Sequence, residues 1–240
     1  MTRAFVVVTL TVALSGCSTS PGATRFEARP AAPTVAIEPG EHPLGLSVRR
    51  DGFLYIPESV ASQPSVPLFV MLHGGGDRAR GMRFLFPLAE ELGVVILAPD
   101  ARGNTWDAID SRIGPDVAFI DAALRYTFQR VAVDPRRLAI GGASDGASYA
   151  LSLGLANGDL FTHLIAFSPG HISAVAPPSG RPLIFMAHGT RDRVLPINLT
   201  SRRILPRLRD AGYTVTYREF DGVHTVPTPV AREALEWLAR

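Results

Sequence analysis

Gly142-Ala143-Ser144-Asp145-Gly146 follows the apolar run Arg137-Leu138-Ala139-Ile140-Gly141 and precedes the helix-like Ala147-Ser148-Tyr149-Ala150-Leu151-Ser152-Leu153. A serine flanked by glycines two positions away, between a buried strand and a helix, suits a very sharp turn. The missing side chains let the chain fold back on itself, and the turn lifts the serine hydroxyl clear of the sheet beside a helix N-terminus. Such a hydroxyl becomes a nucleophile only when a base takes its proton and a third group orients that base. Among the six histidines, His224 lies in Asp221-Gly222-Val223-His224-Thr225, between the last strand-like and the last helix-like segment, where a loop reaches back over the strand ends. Asp192 lies in His188-Gly189-Thr190-Arg191-Asp192-Arg193-Val194-Leu195-Pro196, directly after another apolar run. Ser144, Asp192 and His224 are therefore the expected nucleophile, acid and base. Asp221 is a rival acid on the histidine's own loop, with Asp100 and Asp110 as weaker rivals on another.

A reaction that places negative charge on a carbonyl oxygen also needs hydrogen-bond donors already in position. His73-Gly74-Gly75-Gly76-Asp77 supplies a glycine turn whose amides approach closely because no side chain intervenes. The amides of Gly75 and Asp145 are the expected oxyanion donors, with Gly76 as the substitute for Gly75. His73 and His188, each before a glycine at a strand end, are expected to brace loops by hydrogen bonding. Trp106, in Arg102-Gly103-Asn104-Thr105-Trp106-Asp107, is a candidate wall of a substrate pocket or a packing residue, and His171 a candidate rim contact. No His/Asp/Glu spacing suggests a metal site.

The elements that must hold these residues alternate from Leu46 onward. Strands are expected at 53–56, 68–72, 94–98, 137–141, 164–167, 183–187 and 214–220, with helices at 82–92, 116–128, 147–153, 198–210 (disturbed at Pro206) and 229–240. Continuous apolar strands separated by helices imply a mainly parallel sheet covered on both faces. Every motif above follows an apolar strand, so all of them converge on the carboxyl edge of the sheet, where such sheets bind ligands. The segment from Ser168 to Arg181 has only 14 residues and contains Pro169, Pro177 and Pro178, so the site is expected to be open and without a lid.

The chain has 240 residues, 46% of them hydrophobic, which suits a single sizeable domain at 44–240. All 24 basic residues are arginine, and their scatter argues against a nucleic-acid partner. Met1-Thr2-Arg3 followed by the apolar Ala4 to Leu14 is too short to span a bilayer as a mature helix and reads as a leader, residues 1–16. It ends in Leu14-Ser15-Gly16-Cys17, which resembles the lipobox of bacterial lipoproteins. That resemblance implies cleavage before Cys17, acylation of this sole cysteine, and an exported protein anchored by lipid to the cell envelope. Residues 17–43, rich in Ser, Thr, Pro, Ala and Gly, read as a flexible tether with a reach of roughly 30 Å.

Taken together, Leu72-His73-Gly74-Gly75-Gly76-Asp77, Gly142-Ala143-Ser144-Asp145-Gly146, His188-Gly189-Thr190-Arg191-Asp192-Arg193-Val194-Leu195-Pro196 and Gly222-Val223-His224-Thr225-Val226-Pro227 resemble an α/β-hydrolase of the phospholipase/carboxylesterase type, a group overlapping with dienelactone-hydrolase-like proteins. The resemblance implies hydrolysis of carboxylic esters through an acyl-serine, with no cofactor. Ala147 and Asp145 depart from the family pattern, in which glycine and glutamine are frequent. The same machinery turned on amides, as in a serine peptidase, is one alternative. An esterase acting on a polyester or on feruloyl or acetyl groups of a polysaccharide is another, and a binding protein that has lost activity is a third.

Overall fold

A computed structural model describes residues 24–107 and 113–240. Asp110, the leader and Cys17 lie outside these residues. Eight strands form one sheet: β1 Gly40–Pro43, β2 Gly52–Ile56, β3 Val66–Leu72, β4 Val95–Pro99, β5 Val133–Ala143, β6 His163–Phe167, β7 Leu183–Gly189 and β8 Val215–Phe220. Their order across the sheet is β1-β2-β4-β3-β5-β6-β7-β8. β2 runs antiparallel to both of its neighbours, β1 and β4, and every other pairing is parallel, as the uninterrupted apolar runs of β3 to β7 demand.

Side chains on a strand alternate between faces. Leu68, Val70 and Leu72 of β3 therefore join one core cluster, and Phe69 and Met71 the other. The first is covered by helices α2 Pro115–Phe128, α3 Asp145–Ala156 and α4 Ser201–Asp210, through Ile120, Leu124, Leu153 and Ile204. The second is covered by α1 Phe86–Leu92 and α5 Thr228–Ala239, through Leu88, Ala231, Leu235 and Leu238. Two helices begin later than expected. Residues Ala79–Leu85 and Ile197–Leu199 are 3₁₀ turns that precede α1 and α4, and α4 runs through Pro206 without a break. No helix of the described residues is long and apolar enough to cross a membrane.

The parallel register brings Leu72 level with Gly142, Ala143 with Phe167, Phe167 with Ala187, and Gly189 with Phe220. The carboxyl ends of β3, β5, β6, β7 and β8 thus share one edge, and each releases one of the loops singled out above.

The expected tether ends earlier than residue 43. From Thr24 onward the chain lies against the domain. Phe26 is buried and packs edge-on against Phe161 at 5.5 Å, while its amide donates to Asn157 Oδ1 at 3.0 Å. The amides of Glu27 and Ala28 both donate to Asp121 Oδ1 at 2.8 Å. Glu41 then pairs with Tyr55 to start the sheet. One aromatic residue in a stretch of small and polar ones anchors the whole segment.

Candidate active site

Ser144 sits between β5 and α3 with φ 56° and ψ −119°, a left-handed conformation that a non-glycine residue adopts only when its surroundings enforce it. Its amide donates to Phe167 O at 2.9 Å, and its carbonyl accepts from Ser148 N–H at 3.0 Å. A Cβ at Gly142 would lie 2.6 Å from Leu72 O, and one at Gly146 would lie 2.5 Å from His73 O. Both collisions are with backbone, so only glycine permits α3 to start this close to the end of β3. A serine at a helix N-cap ordinarily spends its oxygen on a backbone amide. Ser144 makes no such bond, which leaves Oγ free for other partners.

Asp192 sits in the turn after β7. Its Oδ1 accepts from the amides of Val194 at 2.9 Å and Leu195 at 2.8 Å, and its Oδ2 accepts from His224 Nδ1 at 2.5 Å. Burial pushes this carboxyl up, but the bonds from His224, Leu195 and Val194 outweigh it and hold the group below the usual carboxylate range. The turn is tied to the histidine loop by Arg191 N–H donating to Gly222 O and Thr190 N–H to Phe220 O, both at 2.9 Å. Asp221, the rival acid, instead faces solvent and pairs with Arg191 at 2.7 Å. Asp100 accepts from Ala79 N–H at 2.6 Å and touches neither loop.

Because His224 gives Nδ1 to Asp192, its Nε2 is the nitrogen left for a substrate-side proton. Ser144 and His224 line the same cavity of about 530 Å³, with Gly74, Gly75, Met82, Phe84, Phe167 and Val226 among its walls. Ser144 Oγ and His224 Nε2 make no hydrogen bond to each other. Bonds of this kind often tighten only when substrate is bound.

The glycine turn is held from behind. His73 Nε2 accepts from Ala101 N–H at 3.0 Å, so the ring is neutral with its proton on Nδ1, which donates to Gly74 O at 2.8 Å. Burial holds His73 below the usual imidazole range despite that bond and nearby Asp100. Gly76 N–H donates to Asn104 O at 2.7 Å and is thereby removed as an oxyanion donor. The amides of Gly75 and Asp145 bond to no described residue. Thr105 Oγ1 donates to Asp145 Oδ2 at 2.7 Å and links the 101–107 loop to the start of α3.

Trp106 is not a wall of the cavity. It is fully buried, its Nε1–H donates to His73 O at 2.9 Å, and its ring stacks on Tyr149 at 5.3 Å. Beneath it Asp107 accepts from Tyr149 Oη at 2.7 Å and from Asp116 N–H at 2.8 Å, and burial pushes the Asp116 carboxyl up to about 6. His171 is exposed and is not among the cavity residues. Its loop is stitched along α3 instead, with Gly170 N–H on Ser148 Oγ and Ser173 N–H on Ser152 Oγ, both at 2.9 Å, and apart from Ser168 no residue of 168–181 lines the cavity. Sequence reasoning missed Met82, Phe84, Phe167 and Val226. Phe84 is 39% exposed beside the nucleophile, but its one-dimensional signal is that of any core residue.

The sheet order, the sharp turn (the nucleophile elbow) at Ser144 between β5 and α3, and the loops at one edge define an α/β-hydrolase fold. Esterase PE8, a solved structure, matches it with a TM-score of 0.65 over 80% of this chain and 98% of that one, at 22% identity. An acetylxylan esterase of Coprinopsis cinerea is 30% identical over 134 residues, covering 51% of this chain and 34% of the relative. A poly(3-hydroxybutyrate) depolymerase of Ralstonia pickettii is 34% identical over 134 residues, covering 46% of this chain and 27% of the relative. The match thus spans about a third or less of each of these two proteins. No protein-family model matches the chain.

Proposed function

We propose that this chain is a serine hydrolase that cleaves carboxylic esters through an acyl-serine intermediate. The observation that carries the reading is the 2.5 Å bond from His224 Nδ1 to Asp192, with His224 and the strained Ser144 on one cavity. In this mechanism His224 takes the Ser144 proton at Nε2 as Oγ attacks the ester carbonyl. Asp192 fixes the ring tautomer and stabilises the imidazolium. The amides of Gly75 and Asp145 hold the oxyanion; one such donor is typically worth ~10²–10³ in turnover. His224 next protonates the departing alcohol, then activates the water that frees the enzyme.

The cavity has no described lid, and this favours short esters or ester groups exposed on a polymer. Likeness to an acetylxylan esterase and a polyester depolymerase supports the polymer-borne form. Export and acylation of Cys17 are proposed on the sequence alone; loss of metabolic fatty-acid labelling in Cys17→Ser tests them. The activity is tested with Ser144→Ala, which should retain the fold by circular dichroism and lose at least about 10³-fold in p-nitrophenyl acetate hydrolysis, together with labelling by a fluorophosphonate. A folded variant with wild-type turnover refutes the reading. A panel of peptides beside short esters decides against amide hydrolysis if only the esters turn over.

A further inference from the structure

We propose that His188 is a positioning residue for the Asp192–His224 pair, and that Ser201 sets the ring tautomer that allows it to be one. The inference rests on the ester-hydrolase reading of the site. His188 is the penultimate residue of β7, fully buried, and absent from the cavity wall. Its Nε2 lies 2.8 Å from Leu195 O and 3.1 Å from Asp192 Oδ2. A carbonyl and an ionised carboxylate only accept hydrogen bonds, so Nε2 must carry a proton. A second proton on Nδ1 would make a fully buried cation. Burial opposes that, keeping the ring below the usual imidazole range against the pull of the Leu195 carbonyl and Asp192. Nδ1 therefore offers a lone pair, and the atom facing it at 2.6 Å is Ser201 Oγ, itself fully buried in the first turn of α4. The Ser201 hydroxyl donates to Nδ1, and the ring passes the polarity on as Nε2–H to Asp192.

Asp192 thereby has four donors: the Val194 and Leu195 amides on Oδ1, and two imidazoles on Oδ2. With His224 alone on Oδ2, the carboxylate could follow that ring as its loop moves. The second imidazole comes from a sheet strand, and it fixes Oδ2 to the rigid body of the fold. The other charged group near His188 is Glu219, its register partner on β8, which is occupied by Arg202 at 2.6 Å and by Tyr217 Oη at 3.0 Å. Loss of the His188 donor leaves more of the carboxylate's charge to His224 while loosening its aim. Turnover should fall, and the acid limb of the pH–rate profile should move to higher pH. KM should hardly change, because the ring does not touch the cavity.

The test uses the full-length protein and p-nitrophenyl acetate. His188→Leu is expected to lower kcat about tenfold with KM unchanged within about twofold and to shift the acid limb. His188→Gln, whose amide N–H reaches the place of Nε2–H, should restore both. Nitrogen-15 imidazole spectra of the wild type should show His188 neutral with its proton on Nε2, and Ser201→Ala should disturb that tautomer. A folded His188→Leu protein with wild-type kcat and pH profile overturns the inference. So does a His188 proton on Nδ1 in the wild type. If His188→Leu does not fold, the wild-type spectrum and Ser201→Ala decide instead: an Nε2 tautomer and kcat both unmoved in Ser201→Ala overturn it. A wild-type protein that neither turns over esters nor takes the fluorophosphonate refutes the ester-hydrolase reading, whereas the spectrum reads the tautomer independently of activity.

Discussion

Replacing Trp106 by Phe separates a brace from a pocket wall. The indole N–H donates to His73 O at 2.9 Å in a fully buried setting, and a phenyl ring leaves that carbonyl without this donor. An unsatisfied buried acceptor costs about 1–3 kcal/mol. An indole exceeds a phenyl ring by roughly 40 Å³, which at about 24 cal/mol per Å³ of residual cavity adds about 1 kcal/mol. The sum of about 2–4 kcal/mol corresponds to a fall in Tm of roughly 5–15 °C for a domain of this size. His73 opens the glycine turn, so the loosened carbonyl should also blur the Gly75 amide and lower kcat for every ester by a similar factor. Thermal melts and a graded series from p-nitrophenyl acetate to long acyl chains read both effects. A Trp106→Phe protein with wild-type Tm but an altered order of preference among acyl chains would refute the reasoning and return Trp106 to the substrate.

Further predictions follow from the same contacts. Gly146→Ala drives a Cβ to 2.5 Å from His73 O, so it should cost about 3 kcal/mol or more and abolish fluorophosphonate labelling; a stable, labelled variant would contradict the elbow geometry. Phe26→Ala should release the N-terminal segment, lowering stability by about 3 kcal/mol and speeding tryptic cleavage after Arg25, with turnover retained; unchanged cleavage would show that Phe26 is not the anchor. His73, His163 and His188 are all held below the usual imidazole range by burial, so the unfolded chain binds protons that the folded one refuses, and stability falls as pH drops below about 6.5, by at most about 1.4 kcal/mol per pH unit for each ring. Asp116 acts in the opposite sense between its unfolded 3.8 and its folded value of about 6, where the folded state holds the extra proton. Urea melts between pH 5 and 7 should therefore still show a net loss toward acid, and a flat or rising stability would refute it.

Much of this was legible before any coordinates. The apolar runs at 68–72 and 183–187 could only be buried parallel strands, and the glycines around Ser144 had one steric use. What stayed hidden was nonlocal. Gly40–Pro43 is too short and too polar to read as a strand, and exists because Glu41 finds Tyr55. The burial of Trp106 depends on Tyr149 and His73, far away in sequence. Gly76 is disqualified as a donor by an acceptor at Asn104, a pairing no local pattern announces. The apolar walls Met82 and Phe84 come from a 3₁₀ turn where helical spacing was expected, so the face they present was not predictable from periodicity.

The docking of Phe26 onto Asn157 and Phe161 also orients the molecule. Asn157 caps the far end of a helix whose first residue follows the nucleophile, and twelve residues of α-helix span about 18 Å. Thr24, whose carbonyl accepts from Asn157 Nδ2 at 2.9 Å, therefore lies at the end of that helix remote from the nucleophile. A domain immobilised on an assay bead through that end turns the mouth of its cavity outward, toward whatever arrives from the medium and away from its own support.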